Sequence, residues 1–98
     1  MLADMITSIL TDLRGQRDGS GRGITPTAVA VYGFRKLEEL CLRYAHNPQE
    51  CRAAILRFKK SVSVPVDPRR YLQLEARMEA ARNKQVLESE EERLPLDG

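Results

Sequence analysis

The residues that could carry out chemistry are few in this 98-residue sequence. The only histidine is His46, and the only cysteines are Cys41 and Cys51. One imidazole and two thiols at these spacings match neither a zinc site nor a catalytic triad. We interpret the two thiols as small buried hydrophobic groups, with a Cys41–Cys51 disulfide or a redox switch as the alternative. The sequence therefore predicts no metal site.

A glycine-rich segment, residues 15–24, is the other feature with a chemical interpretation. A phosphate-binding loop would need a Gly-Lys-Ser/Thr sequence and a preceding strand, and this segment has neither. A flexible connector is the better interpretation. The acidic residues Glu90–Glu92 belong to a polar tail rather than to a predicted pocket. Because no catalytic arrangement emerges, we expect a non-enzymatic protein without a cofactor or a small-molecule substrate.

Periodic apolar residues predict the helices of an all-α fold. Thr25, Asn47 and Asp67 each precede a proline. This pair of residue types commonly begins a helix, because the first caps the helix and the proline fits its first position. The predicted helices cover about residues 2–14, 27–45, 48–60 and 68–88.

Residues 61–66 alternate between polar and apolar types and could form one short strand. A lone strand has no partner within the chain, and Pro65 is unsuited to a strand interior, so an extended linker is preferred. We expect a single domain over residues 1–88, built as a small bundle of three to four helices with a long C-terminal helix. An acidic, mobile tail over residues 89–98 is expected to follow.

Two apolar stripes are candidate protein interfaces, because each lies along one side of a predicted amphipathic helix. A chain this small cannot easily bury both stripes, so we expect a homodimer, and either stripe could also bind a helix of another protein. The candidate residues are Leu2, Ile6, Ile9, Leu10 and Leu13 in the first helix and Tyr71, Leu74 and Met78 in the last.

The net charge of +2 conceals an uneven distribution. Residues 51–70 contain six basic residues and one acidic residue, a charge of +5, whereas residues 71–98 contain four basic and seven acidic residues, a charge of −3. A basic face over residues 52–70 could bind the backbone of duplex RNA or DNA, although charged side chains also occupy ordinary solvated helix faces. The candidate nucleic-acid-binding residues are Arg52, Arg57, Lys59, Lys60, Arg69 and Arg70.

These features favour binding over catalysis. We predict a helical interaction protein that binds another protein, as an adaptor, inhibitor or assembly factor, with duplex nucleic-acid binding as the alternative. The sequence has no run of roughly 20 apolar residues, as a membrane span requires, and no basic segment typical of a secretory signal. We therefore expect a cytoplasmic protein. Small helical proteins of viruses and phages often have this make-up, and for a viral protein the compartment would be the host cytoplasm.

Overall fold

The computed structural model describes residues 1–16 and 21–93, with side chains up to Lys84. Within these residues the chain forms four helices and no strand, which confirms the predicted all-α class. Residues 62–67 connect the last two helices without forming a strand. The helices are α1 (Leu2–Gly15), α2 (Pro26–Arg43), α3 (Pro48–Ser61) and α4 (Pro68–Arg93).

The polar residue before each helix-starting proline accepts a hydrogen bond from the first turn. Thr25 Oγ1 accepts from the N–H three residues later at 3.1 Å, and Asn47 Oδ1 does the same at 3.4 Å. Asp67 Oδ1 accepts from the N–H two residues later at 2.9 Å. This N–H and the guanidinium of Arg69 hold the pKa of Asp67 below its ordinary value. The starts of α2, α3 and α4 therefore follow from local chemistry that the sequence displays.

Two predicted segments extend beyond the part of the chain that the structure describes. The glycine-rich connector includes residues 17–20, which lie outside the described residues. The backbone of α4 continues to Arg93, past the predicted helix end near residue 88. The predicted tail over residues 89–98 is thus helical in its first half, and residues 94–98 lie outside the described residues.

The core lies where α1, α2 and α3 pack against one another, and α4 packs on α2. Three aromatic rings join α2, α3 and α4: the Phe34 centroid lies 5.8 Å from that of Phe58 and 5.2 Å from that of Tyr71, both in edge-to-face arrangements. Each such pair contributes about 0.5–1.5 kcal/mol beyond the burial of its surface. Other large, fully buried side chains are Ile6, Leu10, Leu37, Cys41, Cys51 and Leu74.

Gly33 allows three helices to approach closely at the centre of this core. A Cβ atom at this position of α2 would lie 2.6 Å from Cδ2 of Leu10 and 3.0 Å from Cε2 of Phe58. Both distances are well below the roughly 3.5–4.0 Å of an ordinary carbon–carbon contact. A glycine within a helix costs about 1 kcal/mol relative to alanine. Here that cost permits α1 and α3 to pack tightly against α2.

Candidate docking groove between α3 and α4

The apolar stripe of α1 is covered by the chain itself. Leu2, Ile6 and Leu10 are buried in the core, while Ile9 and Leu13 are half-buried and pack against it. The stripe lies against α2 and α3, which supply the partner surface that an amphipathic helix needs. In the folded single chain, these side chains are therefore not open to another protein.

The apolar residues of α4 that share the heptad-like spacing are also covered. Tyr71, Leu74 and Met78 are buried, with Tyr71 in the aromatic cluster described above. Burial raises the pKa of the Tyr71 phenol. The expectation that this chain is too small to bury both stripes is wrong. The stripe of α1 is buried against α2 and α3, and that of α4 is buried where α4 packs on α2.

A groove nevertheless remains between α3 and α4, with a volume of about 550 Å³. Buried Ile55 and Met78 contribute to its lining, and the other lining residues are Pro48, Arg52, Leu56, Lys59, Leu72, Glu75, Ala76, Glu79 and Arg82. A second depression, of about 420 Å³, shares three of these residues and extends to the linker. Its further lining residues are Val62, Pro65, Val66, Pro68 and Tyr71. The two depressions together are called the α3–α4 groove below.

Two leucines give the α3–α4 groove an exposed apolar surface. Leu56 of α3 is 52% exposed and Leu72 of α4 is 64% exposed, whereas Ile55 beside Leu56 is only 6% exposed. A single leucine on a helix surface is common in folded proteins. Two exposed leucines contributed by both helices that line one concave surface are instead typical of a docking site.

The charges along the groove differ between its two helices. Arg52 and Lys59 come from α3, whereas Glu75 and Glu79 come from α4. Within the described part of the chain, Arg52 and the two glutamates form no ion pair. Lys59 Nζ lies 4.5 Å from the centroid of the Tyr71 ring, a cation–π contact that leaves the ammonium group exposed. One edge of the groove is therefore basic and the other acidic, and both remain available to a partner.

The end of the groove near Pro48 is fixed by a contact between α4 and the turn after α2. Arg82 is half-buried, and its Nη1 atom donates a hydrogen bond to the carbonyl oxygen of Ala45 at 3.2 Å. A hydrogen bond from a charged donor is worth about 1.5–3 kcal/mol, which is more than an ordinary one. This contact holds α4 at a fixed position relative to α2 and so helps to define the groove.

Three of the basic residues predicted to bind nucleic acid are engaged elsewhere. Arg57 lies toward α1, with its Nη1 atom 3.6 Å from Asp4 Oδ1. Arg69 pairs at 3.1 Å with the aspartate two residues before it. Arg70 lies toward α2, 3.8 Å from Glu38 Oε1, with its guanidinium over the Phe34 ring. The structure therefore does not bring these three residues onto one face with the others.

The other three basic candidates are more open. Arg52 and Lys59 line the α3–α4 groove, and Lys60 is exposed outside its lining. Among the side chains that the structure describes, in residues 1–16 and 21–84, Lys60, like Arg52, has no ion-pair partner. The predicted basic face is thus reduced to these three side chains of α3, and two glutamates of α4 lie beside two of them.

Sequence reasoning missed the α4 contribution to the groove. Leu72, Glu75 and Glu79 are absent from the predicted interface, because the spacing of Tyr71, Leu74 and Met78 identifies the buried side of α4. The available signal is Leu72 itself, since it is a large apolar residue outside that spacing. An apolar residue on the polar side of an amphipathic helix is a reason to look for a second contact surface.

No group of three or more His, Cys, Asp or Glu side chains within the described residues could hold a metal ion. In the same part of the chain, no helix combines the length and apolarity needed to cross a membrane. No protein-family model matches the sequence, and neither the curated proteins nor the solved structures searched contain a match. The function is therefore inferred from the groove.

Proposed function

We propose that this chain is a non-enzymatic, cytoplasmic interaction protein that binds an amphipathic helix of another protein in the α3–α4 groove. The observation that carries the proposal is the exposure of Leu56 and Leu72, 52% and 64%, on a groove that the chain does not cover with described residues of its own. Amphipathic helices bind such grooves by inserting apolar residues spaced over successive turns. An adaptor, an inhibitor or an assembly factor would act in this way.

The two leucines set the scale of the affinity. Full burial of a leucine side chain contributes about 1.5–3 kcal/mol, so covering the exposed half of each would contribute roughly 2–3 kcal/mol for the pair. Association costs at least about 4 kcal/mol in lost translational and rotational freedom. The leucines alone are therefore insufficient, and a partner must also cover the linker residues Val62, Pro65 and Val66. A helix long enough to contact both depressions satisfies this requirement.

The charges of the groove specify the polar edges of the partner helix. Arg52 and Lys59 favour acidic side chains on the edge that lies against α3. Glu75 and Glu79 favour basic side chains on the edge that lies against α4. Exposed pairs of this kind add little affinity, but they select one orientation of the partner and disfavour the reverse one.

A display library of helical peptides tests this proposal and requires no identified partner. Parallel selections use the wild-type chain, the double variant Leu56→Asp/Leu72→Asp, and the control Tyr32→Asp, which changes a 47% exposed residue outside the groove. We expect the wild type and the control to enrich peptides that carry an apolar stripe with one acidic and one basic edge, and the double variant to lose them. Equal enrichment by all three proteins would contradict the proposal.

A second copy of this chain is the competing occupant of the same groove. The predicted homodimer loses part of its support because both apolar stripes are buried within one chain. Leu56 and Leu72 are the exposed residues through which self-association in this groove would have to occur. Sedimentation equilibrium of the wild type and of Leu56→Asp/Leu72→Asp separates the cases. A dimer that the double variant abolishes would assign the groove to a second copy.

Duplex nucleic acid remains a second candidate because Arg52 and Lys60 form no ion pair in the described chain. Glu75 and Glu79 in the same groove would repel phosphates, which is why we favour a protein partner. Binding to duplex RNA and DNA at two salt concentrations tests this alternative. Loss of three phosphate contacts in Arg52→Gln/Lys59→Gln/Lys60→Gln should flatten the log–log salt dependence by about 2–3, given roughly 0.9 per contact. Lys60→Gln alone should affect duplex binding but not peptide binding, since Lys60 lies outside the groove lining.

A further inference from the structure

The two cysteines are direct neighbours across the corner between α2 and α3. Cys51 Sγ lies 3.5 Å from the carbonyl oxygen of Cys41, and Cys41 Sγ lies 4.0 Å from the carbonyl oxygen of Cys51. Each side chain therefore reaches the backbone of the other residue. Cys51 Sγ also lies 3.2 Å from the carbonyl oxygen of Tyr44. These reciprocal contacts bring the two side chains together at the corner between α2 and α3.

Both thiols are fully buried and reduced in this arrangement. Ordinary packing would not require two cysteines at adjoining positions, since any small apolar residues could fill the space. Disulfides form between residues whose side chains already face each other at short distance, because otherwise the backbone must move. At the corner between α2 and α3, each thiol reaches the backbone of the other cysteine in the folded chain, so closing the bond needs little backbone movement.

We propose that Cys41 and Cys51 form a disulfide site that a hydroperoxide closes in the folded protein. This inference is independent of the proposed docking function. The bond would join the last turn of α2 to the first half of α3 and close the short loop that contains residues 42–50.

The positions of the two thiols assign the order of the steps. Burial and the neighbouring Cys51 raise the pKa of Cys41 to about 12. Burial also raises the pKa of Cys51; the Cys41 thiol and the positive charge of Arg82 act in the opposite direction, and the negative charge of Glu50 adds to the increase. Cys51 lies near the N-terminus of α3, where partial positive charge favours a thiolate, whereas Cys41 lies near the C-terminus of α2. Cys51 is therefore the thiol that reacts first.

The chemistry balances with hydrogen peroxide as the oxidant. The Cys51 thiolate attacks one peroxide oxygen, the O–O bond breaks, and a sulfenic acid and hydroxide result. The Cys41 sulfur then attacks the Cys51 sulfur, the S–O bond breaks, and the sulfenic oxygen leaves as water after taking up a proton. In total, two thiols are oxidised to one disulfide and one peroxide is reduced to two molecules of water. Transient opening of the corner admits the peroxide, because both sulfurs are buried.

The test uses the full chain, treated with stoichiometric hydrogen peroxide under native conditions and then alkylated in denaturant. We expect an intact mass lower by two hydrogen atoms, no alkylated cysteine, a preserved helical circular dichroism spectrum, and a higher melting temperature than that of the reduced protein. Cys41→Ala should instead accumulate a sulfenic acid at Cys51 that dimedone traps, whereas Cys51→Ala should react more slowly. Covalent dimers in place of the internal bond, or a bridged protein with a lower melting temperature, would overturn the proposal.

Discussion

On the side of α3 that packs into the core, Phe58 is fully buried and lies so close to Gly33 that a Cβ atom there would be 3.0 Å from its ring. On the side that lines the α3–α4 groove, Leu56 remains 52% exposed and Arg52 has no ion-pair partner within the described residues. The same helix thus contributes one side to folding and presents the other to solvent. The difference indicates which substitutions should unfold the chain and which should only affect binding.

The largest expected effect comes from placing a charge in the core against which α3 packs. Leu10→Asp would bury a carboxylate without a partner, at a cost of several kcal/mol, and a typical domain is stable by only about 5–15 kcal/mol. We expect the variant to be unfolded or nearly so by circular dichroism. Ser8→Asp, on the exposed side of the same helix, is the matched control and should retain the wild-type spectrum. A folded Leu10→Asp variant would show that the core assignment of α1 is wrong.

A pair of leucines on α4 compares the two surfaces within one helix. Leu74 is fully buried, whereas Leu72, two residues away, is 64% exposed on the groove. Leu74→Ala should lower the free energy of unfolding by about 2–5 kcal/mol because it leaves a cavity. Leu72→Ala should change it by about 0.5 kcal/mol or less. Urea unfolding measures both values, and similar losses for the two variants would contradict the assignment of Leu72 to an open groove.

A substitution at Gly33 of α2 tests how tightly the core is packed around Phe58 of α3. Gly33→Ala gains about 1 kcal/mol of helix propensity but forces a methyl group against Leu10 and Phe58. Overpacking of a core costs about 1–3 kcal/mol, so the net result is a loss of up to about 2 kcal/mol. Gly15→Ala is the control, because a Cβ atom there meets nothing within 4 Å. Thermal unfolding should rank Gly33→Ala below the wild type and Gly15→Ala at or above it.

The smallest expected effect concerns a contact between α3 and the start of α1. Glu50 Oε2 accepts a hydrogen bond from the N–H of Leu2 at 3.0 Å and lies 3.4 Å from the N-terminal ammonium group, and these contacts hold the pKa of Glu50 below its ordinary value of 4.5. A carboxyl group with a lowered pKa in the folded state stabilises the fold above the unfolded-state value, and the stabilisation is lost as the pH falls through the folded-state value. Melting temperatures measured from neutral to acidic pH should therefore show a smaller acid-induced decrease for Glu50→Gln.

Glu39→Gln provides the control for the Glu50 experiment. Glu39 is exposed, and the ion pair that it forms within the described residues is with Lys36 on its own helix, at 3.4 Å. Such a surface pair contributes about 0.3–0.5 kcal/mol, so its removal should leave the pH dependence close to that of the wild type. Equal changes in both variants would mean that the contacts of the Glu50 carboxylate with the start of α1 have no specific role.

The sequence was sufficient to predict the elements whose causes are local. Thr25, Asn47 and Asp67 mark three helix starts because a capping side chain and a following proline act within one turn. The spacing of Tyr71, Leu74 and Met78 correctly identifies one buried side of α4. These features depend on residues that are close in the chain, so their patterns are visible without a structure.

The candidate site could not be predicted in the same way, because it depends on which helices become neighbours. Periodicity shows that the stripe of α1 must be covered, but not that α2 and α3 cover it rather than a partner. The six basic residues are close in sequence, yet Arg57 and Arg70 lie toward different helices. The groove arises from the relative placement of α3 and α4, which no short sequence pattern encodes.

The most direct test of the account is chemical-shift mapping of the isotope-labelled chain with a peptide recovered from the display selection. We expect the titration to shift the backbone amides of Arg52, Leu56 and Leu72 and to leave those of Leu10 and Gly33 unchanged. The same titration of Leu56→Asp/Leu72→Asp should produce no shifts. The central claim is that α3 presents an open docking surface on the side opposite the one that packs into the core. Shifts centred on α1, or the absence of any selected peptide that perturbs the α3–α4 groove, would contradict it.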